Sequence, residues 1–315
     1  MPPAPAPPPR SARGCASLAS LPGDPALNDT IFTRDGAHWL PTEHAFGPWG
    51  ETLHGGAPSA LLAHVLETLM PEGMTPARCT FDLFRPVPRQ PLTVEHRVLR
   101  AGRRIHVLEL TVRASGEACV HAVMSCNAHT PLGALANPAP CPLPAPDALP
   151  EFALAERLGA RTPVSAAPMH GLHTRLRVRV VDGVVGEGAG RGWLHLPLDL
   201  APGVPLSPFA HLAALADFSN GIAQRRLQVA GGTVGFINAD ISLHVLRMPA
   251  PGSIGIVAQS NVDSAGRALV QAAFHDRSGL VAQVLQTSLA SPSPMLATQQ
   301  PTTQPTTQPA NGDSR

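Results

Sequence analysis

The chain has 315 residues, enough for two domains of ordinary size, since domains commonly contain roughly 100 to 200 residues. Hydrophobic residues make up 43% of the sequence and the formal net charge is only +1, which excludes a highly charged disordered protein and a strongly basic nucleic-acid-binding protein. Charged residues account for only 14% and tyrosine is absent, so the composition predicts a core built mainly from aliphatic side chains.

Proline divides the chain. Of the 36 prolines, one cluster opens the sequence, a second lies within residues 131–150, and a Thr-Gln-Pro repeat follows Ser293. Proline-rich segments favour extended, solvated backbone and do not build a core. We therefore predict a disordered N-terminal segment, an N-terminal domain, a proline-rich linker, a C-terminal domain and a disordered tail, with bounds 1–27, 28–130, 131–168, 169–292 and 293–315.

The sequence contains no pattern typical of membrane insertion, secretion or metal binding. No stretch approaches the roughly 20 apolar residues of a membrane span, and the N-terminus lacks the apolar run of a signal peptide. We expect a cytoplasmic protein with no membrane or nucleic-acid partner. The five cysteines form no C-x-x-C pair and the histidines show no clustered ligand spacing, so we expect free thiols, no metal and no other cofactor.

The first domain is predicted to contain one helix followed by a β-meander. Apolar residues from Leu61 to Leu69 recur on one helical face, and this helix starts near Ala57, directly after two glycines. Alternating apolar segments then predict four strands, over residues 79–85, 92–99, 105–112 and 118–126.

The second domain repeats this order. A helix is predicted to begin near Pro208, because proline suits the first helical position. Four strands follow, over residues 236–246, 254–262, 268–275 and 281–288. Turn glycines recur at matching places, Gly102 and Gly116 in the first domain and Gly266 and Gly279 in the second. We therefore predict an α+β fold made of two tandem copies of one unit, each an antiparallel sheet wrapped around a central helix.

Short motifs in both units resemble those of the double hotdog acyl-CoA thioesterases. They are Gly47-Pro48-Trp49-Gly50, His54-Gly55-Gly56-Ala57 and Phe84-Arg85-Pro86 in the first unit, and Ser207-Pro208-Phe209, Ala216-Asp217-Phe218-Ser219-Asn220-Gly221, Ile237-Asn238-Ala239-Asp240 and Ala282-Gln283-Val284-Leu285-Gln286-Thr287 in the second. The resemblance covers about residues 28–292. It implies a double hotdog fold and an enzyme of lipid metabolism that hydrolyses acyl-CoA, or another acyl thioester, to a carboxylic acid and a free thiol through an activated water. Two units in one chain are compatible with a monomer or a homo-oligomer.

One predicted site lies in the C-terminal unit. The resemblance implies an Asp, a Thr or Ser, and a Gln around the lytic water, and these match Asp240, position 261 and Gln286; Asn261 replaces the hydroxyl residue. The matched positions of the first unit are Arg78 and Ala122, which cannot supply this chemistry. We predict that Asp240 and Gln286 hold the water with assistance from Asn261. An Asp in an ordinary turn and an exposed Gln are the alternative interpretation.

A second predicted site uses the helix starts. In single hotdog thioesterases with a similar His-Gly-Gly pattern, a glycine amide polarises the thioester carbonyl and an acid in the partner helix attacks it or activates water. Here the resemblance implies that His54, Gly55 and Gly56 bind the substrate opposite Asp217, which lies nine residues after Pro208. The alternative interpretation is an ordinary tight turn for His54-Gly55-Gly56 and a polar helix residue for Asp217.

Coenzyme A carries phosphates, and Arg103 and Arg104 in a predicted turn could bind them; a solvated surface is the alternative interpretation. Two other functions stay open. One is an acyl-thioester binding protein with little turnover, suggested by Asn261. The other is a hotdog hydratase or dehydratase, which would normally carry an Asp and His pair on one loop entering the helix; the sequence shows no such pair.

Overall fold

The computed structural model describes residues 29–48, 51–133, 139–154, 170–183, 186–230 and 232–292. Both predicted disordered termini and most of the second half of the predicted linker lie outside these ranges, as do Trp49 and Gly50 of one quoted motif.

Each half of the chain contributes one principal helix. The helices of the described residues are α1 (Gly56–Leu69), α2 (Leu172–Arg175), α3 (Pro208–Ala216) and α4 (Ser219–Ile222). Short 3-10 turns occupy Glu43–Ala45 and Pro146–Ala148. The predicted starts near Ala57 and Pro208 agree with α1 and α3.

The strands of the first half are β1 (Phe32–Asp35), β2 (His38–Pro41), β3 (Met74–Leu83), β4 (Leu92–Ala101), β5 (Ile105–Ala114) and β6 (Glu117–Ala128). Those of the second half are β7 (Phe152–Ala153), β8 (Arg177–Asp182), β9 (Ala189–His195), β10 (Leu227–Val229), β11 (Gly232–Asn238), β12 (Asp240–Val245), β13 (Ile254–Val262), β14 (Arg267–Asp276) and β15 (Gly279–Pro292).

The named strands form one antiparallel sheet that runs through both halves. Its main path is β1-β2-β4-β5-β6-β3 followed by β12-β15-β14-β13-β9-β8-β7, so β3 and β12 join the two halves. Phe81 lies opposite Ile241 at this junction, and both side chains are completely buried. The antiparallel α+β organisation predicted from the alternating segments is therefore confirmed.

The core lies between this sheet and the two longer helices. Every residue of α3 from Phe209 to Ala216 is buried, and α1 buries Ala60, Leu61 and Leu62 completely. The two helices also contact each other. Small and aliphatic side chains dominate the core, as the composition predicts. None of the described helices is long and apolar enough to cross a membrane.

The predicted linker contacts the second half over residues 139–154. Residues 139–154 pack against the second half, where β7 pairs with β8. The indole Nε1 of Trp193 donates a hydrogen bond of 2.9 Å to the carbonyl of Pro144, and Leu143 is 8% exposed. Proline lacks an N–H but keeps its carbonyl as an acceptor, so a proline-rich segment can still attach to a neighbouring unit.

Candidate active site

The N-terminus of α1 meets the C-terminus of α3 at a very close approach. A Cβ atom placed on Gly56 would lie 2.6 Å from the carbonyl oxygen of Ala214, so a larger residue would push the helices apart. A Cβ atom on Gly55 would lie 2.9 Å from both carboxylate oxygens of Asp217. The two glycines therefore allow the start of one helix to reach a carboxylate at the end of the other.

Asp217 lies at this junction and is 8% exposed. Its Oδ2 accepts a hydrogen bond of 2.9 Å from the Gly56 N–H and lies 2.8 Å from Nδ1 of His54. Its Oδ1 accepts a hydrogen bond of 2.8 Å from the Asn238 amide. Burial alone would raise the pKa of Asp217, but the charge of His54 and these hydrogen bonds outweigh it and lower the pKa below its usual value. The carboxylate is thus ionised at neutral pH.

The ring of His54 stacks against two other rings. Phe218 stacks on one side with centroids 4.3 Å apart, and His173 stacks more distantly at 6.3 Å. His173 is 5% exposed, and burial, followed by the charge of His54, lowers its pKa to about 4. Neither ring nitrogen of His173 has a hydrogen-bond partner among the described residues. His173 is therefore neutral near pH 7 and packs beside the ring of His54.

Gln286 and Ser288 approach the same junction from β15. The completely buried Gln286 donates from Nε2 to the carbonyl of Ala216 at 3.1 Å, one residue before Asp217. Its Oε1 has no partner within the described parts of the chain. The Ser288 hydroxyl donates to Oδ1 of Asn238 at 3.1 Å. Gln286 therefore reaches the predicted polar centre, and Asn238 connects Ser288 to Asp217.

The structure does not bring the side chains of Asp240 and Asn261 together with that of Gln286. Asp240 accepts hydrogen bonds from the hydroxyl and the N–H of Thr287. Thr287 follows Gln286 directly, and adjacent strand residues face opposite sides of a sheet. Asn261 is exposed, and the cross-strand row that contains it continues through Leu269 to Thr287. Both residues therefore belong to the outer face, whereas Gln286 is on the helix face.

Arg103 and Arg104 are exposed at the turn between β4 and β5, far from the junction. The carbonyl of Arg104 accepts a hydrogen bond from Ala128, which lies opposite Met74 at the start of β3. The other end of β3 is next to Ala239. A strand of the length of β3 spans roughly 30 Å at about 3.3 Å per residue, so the two arginines and Asn238 lie near opposite ends of β3.

Sequence reasoning missed Asn238 although it stands in a quoted motif, two residues before Asp240. β11 ends at Asn238 and β12 begins at Asp240. The Asn238 side chain contacts Asp217 at the end of α3, whereas the Asp240 side chain contacts Thr287 on the other face of the sheet. An amide before the acid in Ile237-Asn238-Ala239-Asp240 was the available signal.

Within the described ranges, no three His, Cys, Asp or Glu side chains are grouped to hold a metal ion.

Family models match both halves of the chain. The acyl-CoA thioesterase N-terminal domain matches residues 42–127, and the acyl-CoA thioesterase C-terminal domain matches residues 139–290. The chain belongs to the double hotdog acyl-CoA thioesterase family. The C-terminal match begins at residue 139, which agrees with the packing of residues 139–154 on the second half.

Solved structures of this family and fold resemble the chain over most of its length. A proposed thioesterase from Novosphingobium aromaticivorans is 24% identical with a TM-score of 0.58, over 85% of this chain and 99% of that protein. A hotdog-fold protein of unknown function from Alicyclobacillus acidocaldarius is 17% identical with a TM-score of 0.62, over 86% and 100%. Acyl-CoA thioesterase II TesB2 from Mycobacterium marinum is 17% identical with a TM-score of 0.54, over 77% and 91%. At these identities the likeness concerns the fold. No curated protein matches the sequence significantly.

Proposed function

We propose that the protein is an acyl-CoA thioesterase with a double hotdog arrangement, and that its active site lies where α1 meets α3. The observation that carries this proposal is the buried carboxylate of Asp217, which contacts the N-terminus of the helix from the other half. Thioester hydrolysis requires a positioned water, a group that accepts its proton, and donors for the carbonyl oxygen. This junction offers all three kinds of group.

The polar residues of the second half would position the water. Asp217, Asn238 and Gln286 supply an acid, an amide and a glutamine, which is the family trio with Asn238 in place of the hydroxyl residue. The unpartnered Oε1 of Gln286 can accept one hydrogen of a water. The structural support therefore favours Asp217 and Asn238 over Asp240 and Asn261 as partners of Gln286.

The first half would supply the donor for the carbonyl oxygen. The Gly56 N–H already donates to Asp217, whereas the Gly55 N–H has no acceptor among the residues that the structure describes. Free N–H groups and the positive end of a helix stabilise a developing negative charge. We therefore assign the oxyanion contact to Gly55 and a structural contact to Gly56.

Thiol release from a panel of acyl-CoA thioesters of different chain length tests this function. We expect the wild-type protein to release free thiol and the Asp217→Asn variant to lose about 100-fold or more of kcat, because its carboxylate is at the centre of the polar contacts of this junction and general acid–base catalysis contributes on that scale. Saturable binding of acyl-CoA without thiol release would instead favour a binding protein with little turnover.

One contact favours a second candidate, a hotdog hydratase or dehydratase. Such enzymes use an Asp and a His, and the structure brings His54 and Asp217 within 2.8 Å although they come from different halves of the chain rather than from one loop. A change in enoyl absorbance on incubation with a trans-2-enoyl-CoA, without release of thiol, would support this candidate over the thioesterase.

A further inference from the structure

His54 contacts Asp217 through one defined nitrogen. Nδ1 lies 2.8 Å from Oδ2 of Asp217, and the N–H of Gly56 lies within reach of both atoms, at 3.2 Å from Nδ1 and 2.9 Å from Oδ2. An unprotonated Nδ1 would place its lone pair against an ionised carboxylate oxygen. The arrangement is favourable when Nδ1 carries a hydrogen and donates it to Oδ2, while Gly56 donates to the same oxygen.

This assignment leaves the other nitrogen of a neutral ring as an acceptor. A neutral imidazole carries one proton, so Nε2 keeps its lone pair when Nδ1 is the donor. Nε2 makes no hydrogen bond with the described residues and is not sealed from solvent. The backbone N–H of His54 donates to the carbonyl of Ala45 at 3.0 Å, and Phe218 stacks on the ring, so its orientation is fixed.

The two members of the pair differ in access. The side chain of His54 is 12% exposed and that of Asp217 is 7% exposed, and three donors already surround the carboxylate of Asp217. A carboxylate occupied in this way is well placed to orient an imidazole. We infer that His54 is the general base of this enzyme and that Asp217 is its positioning residue. This inference rests on the proposed thioesterase function.

The proton and electron movements balance without a cofactor. Nε2 of His54 takes a proton from water as the water oxygen forms a bond to the thioester carbonyl carbon, and the carbonyl π electrons move to its oxygen. When this tetrahedral oxyanion collapses, the C–S bond breaks and its electron pair leaves with sulfur. The imidazolium returns its proton to the thiolate, so one water is consumed and an acid and a thiol are formed.

Among the described residues, two titratable side chains contact His54. Asp217 contacts it from the end of α3, and His173 stacks on it from α2. His173 stays neutral above about pH 4, and Asp217 stays ionised, so neither changes its charge near neutral pH. The acid limb of the activity profile, which is the fall of kcat at low pH, should therefore be lost in a variant without His54.

Kinetics of His54→Gln and Asp217→Asn against pH test the inference, with exposed His96→Gln as the matched control. We expect His54→Gln to lose about 100-fold or more of kcat with little change in KM and to lack the acid limb. Added imidazole should restore part of the activity of His54→Ala. Asp217→Asn should keep an acid limb, because it disturbs the base without removing it.

The outcomes separate two failures. If the wild-type protein releases no thiol, the proposed function fails. If the wild-type protein is active and His54→Gln keeps more than about one tenth of kcat with an unchanged acid limb, Asp217 acts directly on water and only this inference is overturned. Circular dichroism and thermal unfolding of His54→Gln verify that a loss of activity is not a loss of folding.

Discussion

Asp217 shows how residues distant in sequence decide the chemistry of one side chain. His54 and Gly56 come from the first half and Asn238 from the second, and each contacts the carboxylate. Their combined effect keeps the acid ionised in spite of its burial. Asp240, an acid of the same type, instead contacts Thr287 on the outer face of the sheet.

We expect this difference in surroundings to separate the two acids in kinetics. Asp217→Asn should lower kcat by about 100-fold or more, because it removes the charge that serves the base. Asp240→Asn should stay within about threefold of the wild-type protein, since Asp240 lies on the outer face of the sheet, away from the contacts of Asp217, and substitutions outside such contacts usually have small effects. Thiol release under saturating substrate measures both; a larger loss in Asp240→Asn would contradict the assignment of the site.

The Asn238 side chain offers a matched pair of substitutions. Its amide donates to Asp217, and a threonine hydroxyl could donate in the same way, whereas a valine of similar shape could not. We expect the kcat of Asn238→Thr to stay within about tenfold of the wild-type value and the kcat of Asn238→Val to fall clearly further. Valine leaves the Asp217 carboxylate without this donor, and a hydrogen bond to a charged group contributes about 1.5 to 3 kcal/mol. Equal activity of the two variants would show that this hydrogen bond has no part in catalysis.

At the level of elements, the close approach of α1 and α3 creates the site. Alternation of apolar residues predicts the strands, and the structure extends β3 back to Met74, before the predicted start at residue 79. Pro76 lies where the pairing of β3 with β6 shifts its register, because a proline has no N–H for the ladder. Periodicity also predicts both helices, but it carries no information on the distance between them.

Gly56→Ala tests that distance. Its Cβ atom would meet the backbone oxygen of Ala214, which cannot move without moving α3, so we expect a loss of about 1 to 3 kcal/mol in the free energy of unfolding and lower activity. Gly221→Ala in α4 is the control, because nothing lies within 4 Å of its added Cβ atom. Urea denaturation measures both variants; equal stability would show that the helices adjust without cost.

In the described part of the molecule, the two longer helices pack against one sheet, and ion pairs and hydrogen bonds of carboxylates connect its elements. Arg247, just after β12, donates to Asp276 at the end of β14 at 2.6 Å. This bond lowers the pKa of Asp276 to about 2 against the effect of burial, with further help from the N–H groups of Ala250 and Ser278. The pKa of Asp217, between the two halves, is lowered as well.

Acid should therefore destabilise the protein in a defined range. A carboxyl group whose folded pKa is depressed contributes its full stability above its unfolded pKa, near 4, and loses it as the pH falls through its folded pKa. For Asp276 this window lies between about pH 4 and pH 2. Urea unfolding across that range should show a smaller fall in stability for Asp276→Asn than for the wild-type protein; equal slopes would contradict this role of the ion pair.

The sequence by itself determined the α+β class, the two helix starts, the order of a helix followed by strands in each half, and the presence of His54, Gly55, Gly56, Asp217 and Gln286 among the candidate residues. Local periodicity and turn residues carry that information. Only the tertiary structure decided which of the candidates meet. β11 ends at Asn238 and β12 begins at Asp240, and this break in the strand puts the two side chains on different faces, so Asn238 reaches the helices while Asp240 and Asn261 lie on the outer face. Contacts between the halves depend on how the two helices pack, which no single stretch of sequence records.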